Sequence, residues 1–200
     1  MATIVELRSP VPSRYGVPVI ARVDVSVFEK RYFTHCLSCT FCLDRCCSYG
    51  VDVDLLHKAE IERRGEAIEA YTGVPRDRWF ADEVIEDVEM PGGGAVRTRV
   101  EDGACVFLDR QDRGCLLHRF CSDMGIDYRS VKSLVDCMFP LTVVDATLAP
   151  ADEVDDRTLV CVGLGPTLYD GLREELRYYF GDALLDQLDE MNVPGGPLWS

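Results

Sequence analysis

The run Cys36-Leu-Ser-Cys39-Thr-Phe-Cys42-Leu-Asp-Arg-Cys46-Cys47 spaces five cysteines as C-x2-C-x2-C-x3-C-C. No other stretch narrows the possible folds so far. Two-residue gaps let a short turn aim two thiolates at one centre while neighbouring backbone N–H groups hydrogen-bond to the sulfurs. The iron–sulfur run of ferredoxins uses the same gaps but follows its fourth cysteine with proline; here Cys47 takes that place. A straight helix over 36–46 would set Cys36 and Cys46 about 15 Å apart. Sulfurs on one tetrahedral zinc stand only about 4 Å apart. The segment is therefore expected to be looped, to serve more than one centre, or to be completed by cysteines from elsewhere.

The rest of the chain offers completions in Cys105, Cys115, Cys121 and Cys137. With Cys36, Cys39, Cys42, Cys46 and Cys47 this makes nine candidate metal ligands, more than one four-ligand site needs. Two sites, or one site with redox-active or spare thiols, absorb the excess. Cys161, between Val160 and Val162, reads as a small buried hydrophobe. Of the three histidines, His35 abuts Cys36 and His57 falls on a helix, and each reads as a surface or capping residue; His118, between Cys115 and Cys121, is the one to test as a ligand. The chain has no G-x-S-x-G, H-E-x-x-H or P-loop pattern, and Gly92-Gly93-Gly94 is a hairpin tip rather than a phosphate cradle. Catalytic residues and a substrate pocket stay unassigned.

Composition decides what the thiols are for. Ten cysteines among 200 residues, with 47% apolar side chains, describe a chain too long and too core-rich for a disulfide scaffold. The opening MATIVELRSP has no basic region followed by an apolar run, so the expectation is a cytoplasmic protein with reduced thiols, where clustered cysteines bind metal or do redox chemistry. The first hundred residues hold 13 bases and 16 acids, the second hundred 8 and 19. With no basic stretch to displace counterions, nucleic acid is not an expected partner, and neither is a membrane. The acidic C-terminal face suits a protein or redox partner, and it also serves solubility.

The pattern predicts an α+β fold: short antiparallel strands and hairpins around a cysteine-ligated metal centre, with peripheral helices. Residues 1–18 read as an irregular arm, 19–162 as the cysteine-rich metal-binding domain, 163–193 as a C-terminal helical region packed on it, and 194–200 as a loose tail. Val19 to Val27 alternates as a strand. Asp52 or Asp54 caps a helix to about Arg64, and a second short helix follows Gly65. Hairpins are expected around residues 91–94 and 109–114, the latter drawing Cys105 and Cys115 together. Leu141–Leu148 and Thr158–Val162 are strand candidates around an acidic loop. Gly165-Pro166 opens the last helical region, which Gly181-Asp182 breaks.

Three blocks in order resemble the CxxCxxCC family, zinc- or iron-chelating domain proteins of YkgJ type. They are Cys39-x2-Cys42-x3-Cys46-Cys47 with Val51-x-Val53 and a helix bearing Glu60; Asp102-Gly-Ala-Cys105-Val-Phe-Leu108 with Gly114-Cys115-Leu-Leu-His118; and Lys132-x4-Cys137-Met-Phe-Pro140. Ser133 stands where the family usually has proline, Cys137 lies one residue nearer the Phe-Pro pair, and Cys36 and Cys121 are additional. The resemblance implies metal chelation by the shared cysteines. The family also includes flagellin lysine methylases, which pair an iron–sulfur centre with S-adenosylmethionine.

All-thiolate ligation with few histidines favours iron–sulfur or zinc over copper, nickel or non-haem iron. The leading expectation is an iron–sulfur cluster, [4Fe-4S], in redox or enzymatic chemistry, with S-adenosylmethionine as a co-reactant implied by the resemblance. The alternatives are a structural zinc module that scaffolds a protein partner and a ferredoxin-like electron carrier.

Overall fold

Val19, Ala21 and Val23 alternate with Arg22 and Asp24, and the strand they form is the one on which the first sheet is built. The computed structural model describes residues 3–34, 37, 41, 44–157 and 159–192. The strands in chain order are β1 (Ile4–Pro12), β2 (Val19–Asp24), β3 (Arg31–Tyr32), β4 (Asp52–Asp54), β5 (Phe80–Glu86), β6 (Gly94–Thr98), β7 (Val100–Glu101), β8 (Ala104–Cys105), β9 (Leu141–Val144), β10 (Thr147–Pro150) and β11 (Val162–Thr167). The α-helices are α1 (Leu55–Arg63), α2 (Gly65–Thr72), α3 (Leu116–Asp123), α4 (Leu134–Met138), α5 (Asp152–Asp155), α6 (Leu168–Gly171), α7 (Arg173–Phe180) and α8 (Asp182–Met191). Short, mostly antiparallel sheets with short helices make the class α+β. Among the described residues no helix is long and apolar enough to cross a membrane.

The chain folds as two compact units, residues 1–34 with 138–200 and residues 35–137. The sequence divides differently, at 18, 162 and 193, because composition does not register that the chain leaves one unit and later returns to it.

In the discontinuous unit the sheet order is β1-β2-β10-β9; β10 runs parallel to β2 and the other pairings are antiparallel. The expected irregular arm is in fact β1. Its prolines mislead because proline is tolerated where no ladder donor is needed, on an edge strand, and β1 is an edge. Its register breaks between Glu6 and Val11. There the buried Gln187 of α8 pairs with the backbone of Ser9, accepting from its N–H at 3.2 Å and donating to its carbonyl at 3.3 Å. An edge strand is thereby covered at its irregular point.

β2 ends at Asp24 rather than running on to Val27. The Asp24 carboxylate accepts from Ser26 N–H and starts a 3-10 turn over Val25–Phe28. The expected single strand at 141–148 is the hairpin β9–β10, turned by Asp145 and Ala146 at φ 48° and 56°. The acidic loop is the one-turn helix α5. Gly165-Pro166 belongs to β11, and the helical region starts one step later, where Thr167 caps α6. Leu168, Leu172, Leu176, Tyr179, Leu184, Leu185 and Leu188 are all buried, so the predicted stripe is a packing face. The expected tail, 194–200, lies outside the described residues.

In the continuous unit the sheet order is β4-β6-β5. Of the two caps the sequence offers, Asp54 is the one used: it accepts from His57 N–H at 2.9 Å and starts α1, and α2 begins at Gly65. β5 and β6 form the first predicted hairpin, closing at Glu86 and Gly94. The core gathers Val53, Ile61, Ile68, Trp79, Phe107, Leu117, Phe120 and Val131 together with two of the cysteines, Cys105 and Cys121. The Trp79 indole inside it donates to Val74 carbonyl at 2.8 Å, which satisfies its one polar atom.

Candidate metal centre

Cys105 and Cys115 stand on the two sides of a tight loop. Leu108 pairs with Cys115, Asp109 N–H donates to Gly114 carbonyl at 2.9 Å, and Leu116 N–H donates to Phe107 carbonyl at 2.7 Å. The turn is thus where the sequence places it. Its second side becomes α3 at Leu116 rather than a strand to His118. The Asp109 carboxylate accepts from Gln111 and Asp112 N–H, which tightens the loop from within. The Cys105 thiol donates to Thr98 hydroxyl at 3.3 Å.

The first cysteine block reaches this loop at two points. Gly114 has φ +83°, a left-handed conformation that favours glycine, and Leu37 Cδ2 packs 2.6 Å from where a Cβ would stand. Asp44 accepts from the Arg113 guanidinium at 3.2 Å. Asp44 itself has φ 53° and takes Cys47 N–H at 2.9 Å, opening the 3-10 turn Arg45–Tyr49 that carries Cys46 and Cys47. That turn packs against β8. Gly50 then passes so near β6 that a Cβ would fall 2.8 Å from Thr98 carbonyl. Cys36, Cys39, Cys42 and His35 lie outside the described residues.

The third block is tied to β4. Ser133 Oγ donates to Asp52 carbonyl at 3.2 Å, and Cys137 on α4 donates through its thiol to Lys132 carbonyl at 3.8 Å. Lys132 is 8% exposed, with its ammonium 3.1 Å from Asp136. Its charge opposes the burial that raises the thiols of Cys105, Cys115 and Cys121. Cys105 and Cys115 also act on each other.

Burial sets the protonation of these groups. It raises the Cys105 thiol, against the Thr98 hydrogen bond, and pushes Cys115 up to about 12 and Cys121 up to about 11. Cys47, Cys105, Cys115 and Cys121 are thiols rather than disulfides. His118 is lowered to about 4, first by burial and then by the Lys132 charge, so it is neutral at physiological pH. Its ring stacks on Tyr128 at 4.3 Å. His57, expected at the surface or in a cap, is fully buried beside its cap: its Nδ1 lies 2.8 Å from both Asp54 oxygens.

Among the described residues no three of His, Cys, Asp and Glu stand together as a finished ligand set. The donor types, thiols with one neutral imidazole, are those that soft or borderline cations take. A full set would draw on Cys36, Cys39 or Cys42. Cys121, fully buried in the apolar core, is placed as a packing residue is. Cys161 is buried in the other unit. Spacing alone did not single out Lys132 and Asp136. Their only signal was Lys132 at the head of the third block.

No family model, curated protein or solved structure matches the chain.

Proposed function

We propose that residues 35–137 form a cysteine-ligated metal module. The ligands we assign are Cys105, Cys115 and Cys137 with members of the Cys36–Cys47 run. The observation that supports this reading is the approach of the first cysteine block to the second: Leu37 against Gly114 and Asp44 on Arg113.

The cation favoured by the ferredoxin-like gaps is an iron–sulfur cluster, which would supply electron transfer or S-adenosylmethionine-linked chemistry. The protein's own part is to hold the sulfurs apart from water: Cys105 is 8% and Cys137 7% exposed. The same enclosure favours a second reading, a closed structural zinc site that stabilises the fold and catalyses nothing. The acidic second half suits a protein or redox partner in either case.

Anaerobic purification distinguishes the two. Brown protein absorbing near 400 nm with about four irons and four sulfides per chain supports the cluster. Colourless protein with stoichiometric zinc supports the structural site. Full-length reduced protein that retains neither metal overturns the module.

A further inference from the structure

β5 is an outer strand of the sheet β4-β6-β5. Its residues Asp82 to Glu86 are exposed without interruption, whereas Gly94, Ala95 and Val96 of the neighbouring β6 are buried. Val84 and Ile85 are each 51% exposed, and Val88 just beyond them is 85% exposed. Successive side chains of a strand point to opposite faces, so two adjacent exposed aliphatics mean that neither face is packed. The backbone is equally open. The Ile85 carbonyl lies toward Gly94, and Asp87 N–H donates to Gly93 carbonyl at 3.2 Å. By the alternation of an antiparallel ladder, the N–H and C=O groups of Val84 and Glu86 therefore face away from β6. Among the described residues nothing pairs with them.

The charge of this edge selects its occupant. From Ala81 to Gly93 the chain carries Asp82, Glu83, Glu86, Asp87 and Glu89 and no base. Arg99 pairs with Asp82 at 2.7 Å, and Lys58, above the Phe80 ring, is held by Glu62. Glu83, Glu86 and Glu89 have no ion-pair partner among the described residues. A second copy pairing edge to edge would set these carboxylates against their own kind, and like charges across a strand pair are destabilising.

We propose that β5 is a docking edge for an extended basic segment of another protein, which joins the sheet as an added strand. Its backbone pairs with Val84 and Glu86, its aliphatic side chains lie on Val84, Ile85 and Val88, and its lysines or arginines meet Glu83 and Glu86. The regular template is short, Val84 to Glu86, because the register shifts between Phe80 and Val84. Charge therefore sets much of the affinity. This surface is independent of the cysteines and of the metal-binding reading.

The test uses the full chain and a blocked synthetic peptide of alternating lysine and valine, about seven residues long so that it spans Asp82 to Val88. Fluorescence anisotropy of the labelled peptide reads affinity, and amide hydrogen exchange reads strand addition. Saturable binding is expected, with slowed exchange at the Val84 and Glu86 amides. The counterpart peptide with glutamate in place of lysine should not bind. Glu83→Lys combined with Glu86→Lys should lower affinity for the lysine peptide by about tenfold or more, since like charge then meets like charge. Val84→Pro removes one outward N–H without changing charge, at a position where an edge strand tolerates proline; it should lower affinity about fivefold, the worth of one hydrogen bond. Thermal melts report the folding of each variant, and exchange at the parent amides decides alone should Val84→Pro not fold. No binding, equal binding of the two peptides, or binding that leaves the Val84 and Glu86 amides unprotected overturns the proposal. So does protection of those amides that grows with concentration in the protein alone, which makes a second copy the occupant.

Discussion

Asp54 holds His57 twice, taking its backbone N–H at 2.9 Å as the cap of α1 and facing its ring Nδ1 at 2.8 Å, with both side chains fully buried. One carboxylate thus sets where the helix starts and supplies a partner to a buried imidazole. Asp54→Ala removes both at once. The cap alone is worth about 1 kcal/mol, and loss of the ring's acceptor adds about 1–3 kcal/mol. A fall in the urea midpoint, measured with chelator present so that metal plays no part, checks this; an unchanged midpoint contradicts it.

The ligand assignment is separable cysteine by cysteine. Cys39→Ser, Cys46→Ser, Cys105→Ser and Cys137→Ser should each strip metal and lower stability. Cys161→Ser, in the other unit, should retain metal. Cys121→Ser should also retain metal yet unfold about 1–3 kcal/mol more easily, because it puts a hydroxyl into an apolar core. Metal content by elemental analysis alongside thermal melts reads both effects. Full occupancy in the Cys105 and Cys137 variants would defeat the assignment.

Glu60 gives a pH dependence of known sign. Hydrogen bonding from Arg63, with the charges of Arg63 and Arg64, lowers its carboxyl against the opposing effect of burial. The folded state therefore binds this proton less readily than the unfolded chain. The stabilisation is complete above the unfolded value near 4.5 and is lost as pH falls through the lower folded value. Glu60→Gln should flatten that acid limb in urea midpoints taken from pH 6 down to about 3, and an unchanged slope would count against the Arg63–Glu60–Arg64 contacts.

Ala146 sits at φ 56° in the turn between β9 and β10, a left-handed conformation that a Cβ disfavours. Its carbonyl accepts from Ala21 and Arg22 N–H, so the backbone position is held by β2. Ala146→Gly keeps those bonds and relieves the steric cost, which should stabilise the protein by about 1 kcal/mol. A lower melting temperature for the glycine variant would show that the chain is not constrained there.

Local chemistry wrote the parts that read correctly in advance. The Asp54 cap, the break at Gly65, the hairpin ending at Gly94 and the loop between Cys105 and Cys115 each depend on residues within a few positions of one another, and the sequence determined them. The sequence also set the identity of the thiols and the leucine stripe that α6 to α8 bury. Tertiary structure decided the rest. Pro10 and Pro12 lie in a strand because β1 is an edge, and edge position is a property of the sheet. His57 is buried because a core forms above α1. The Arg45–Tyr49 turn packs against β8 and Asp44 pairs with Arg113, and no window along the chain contains that meeting. Composition likewise cannot show that residues 1–34 and 138–200 form one unit: a pairing such as Leu148 with Val23 is a bond between distant segments, and distance along the chain is what short-range patterns cannot carry.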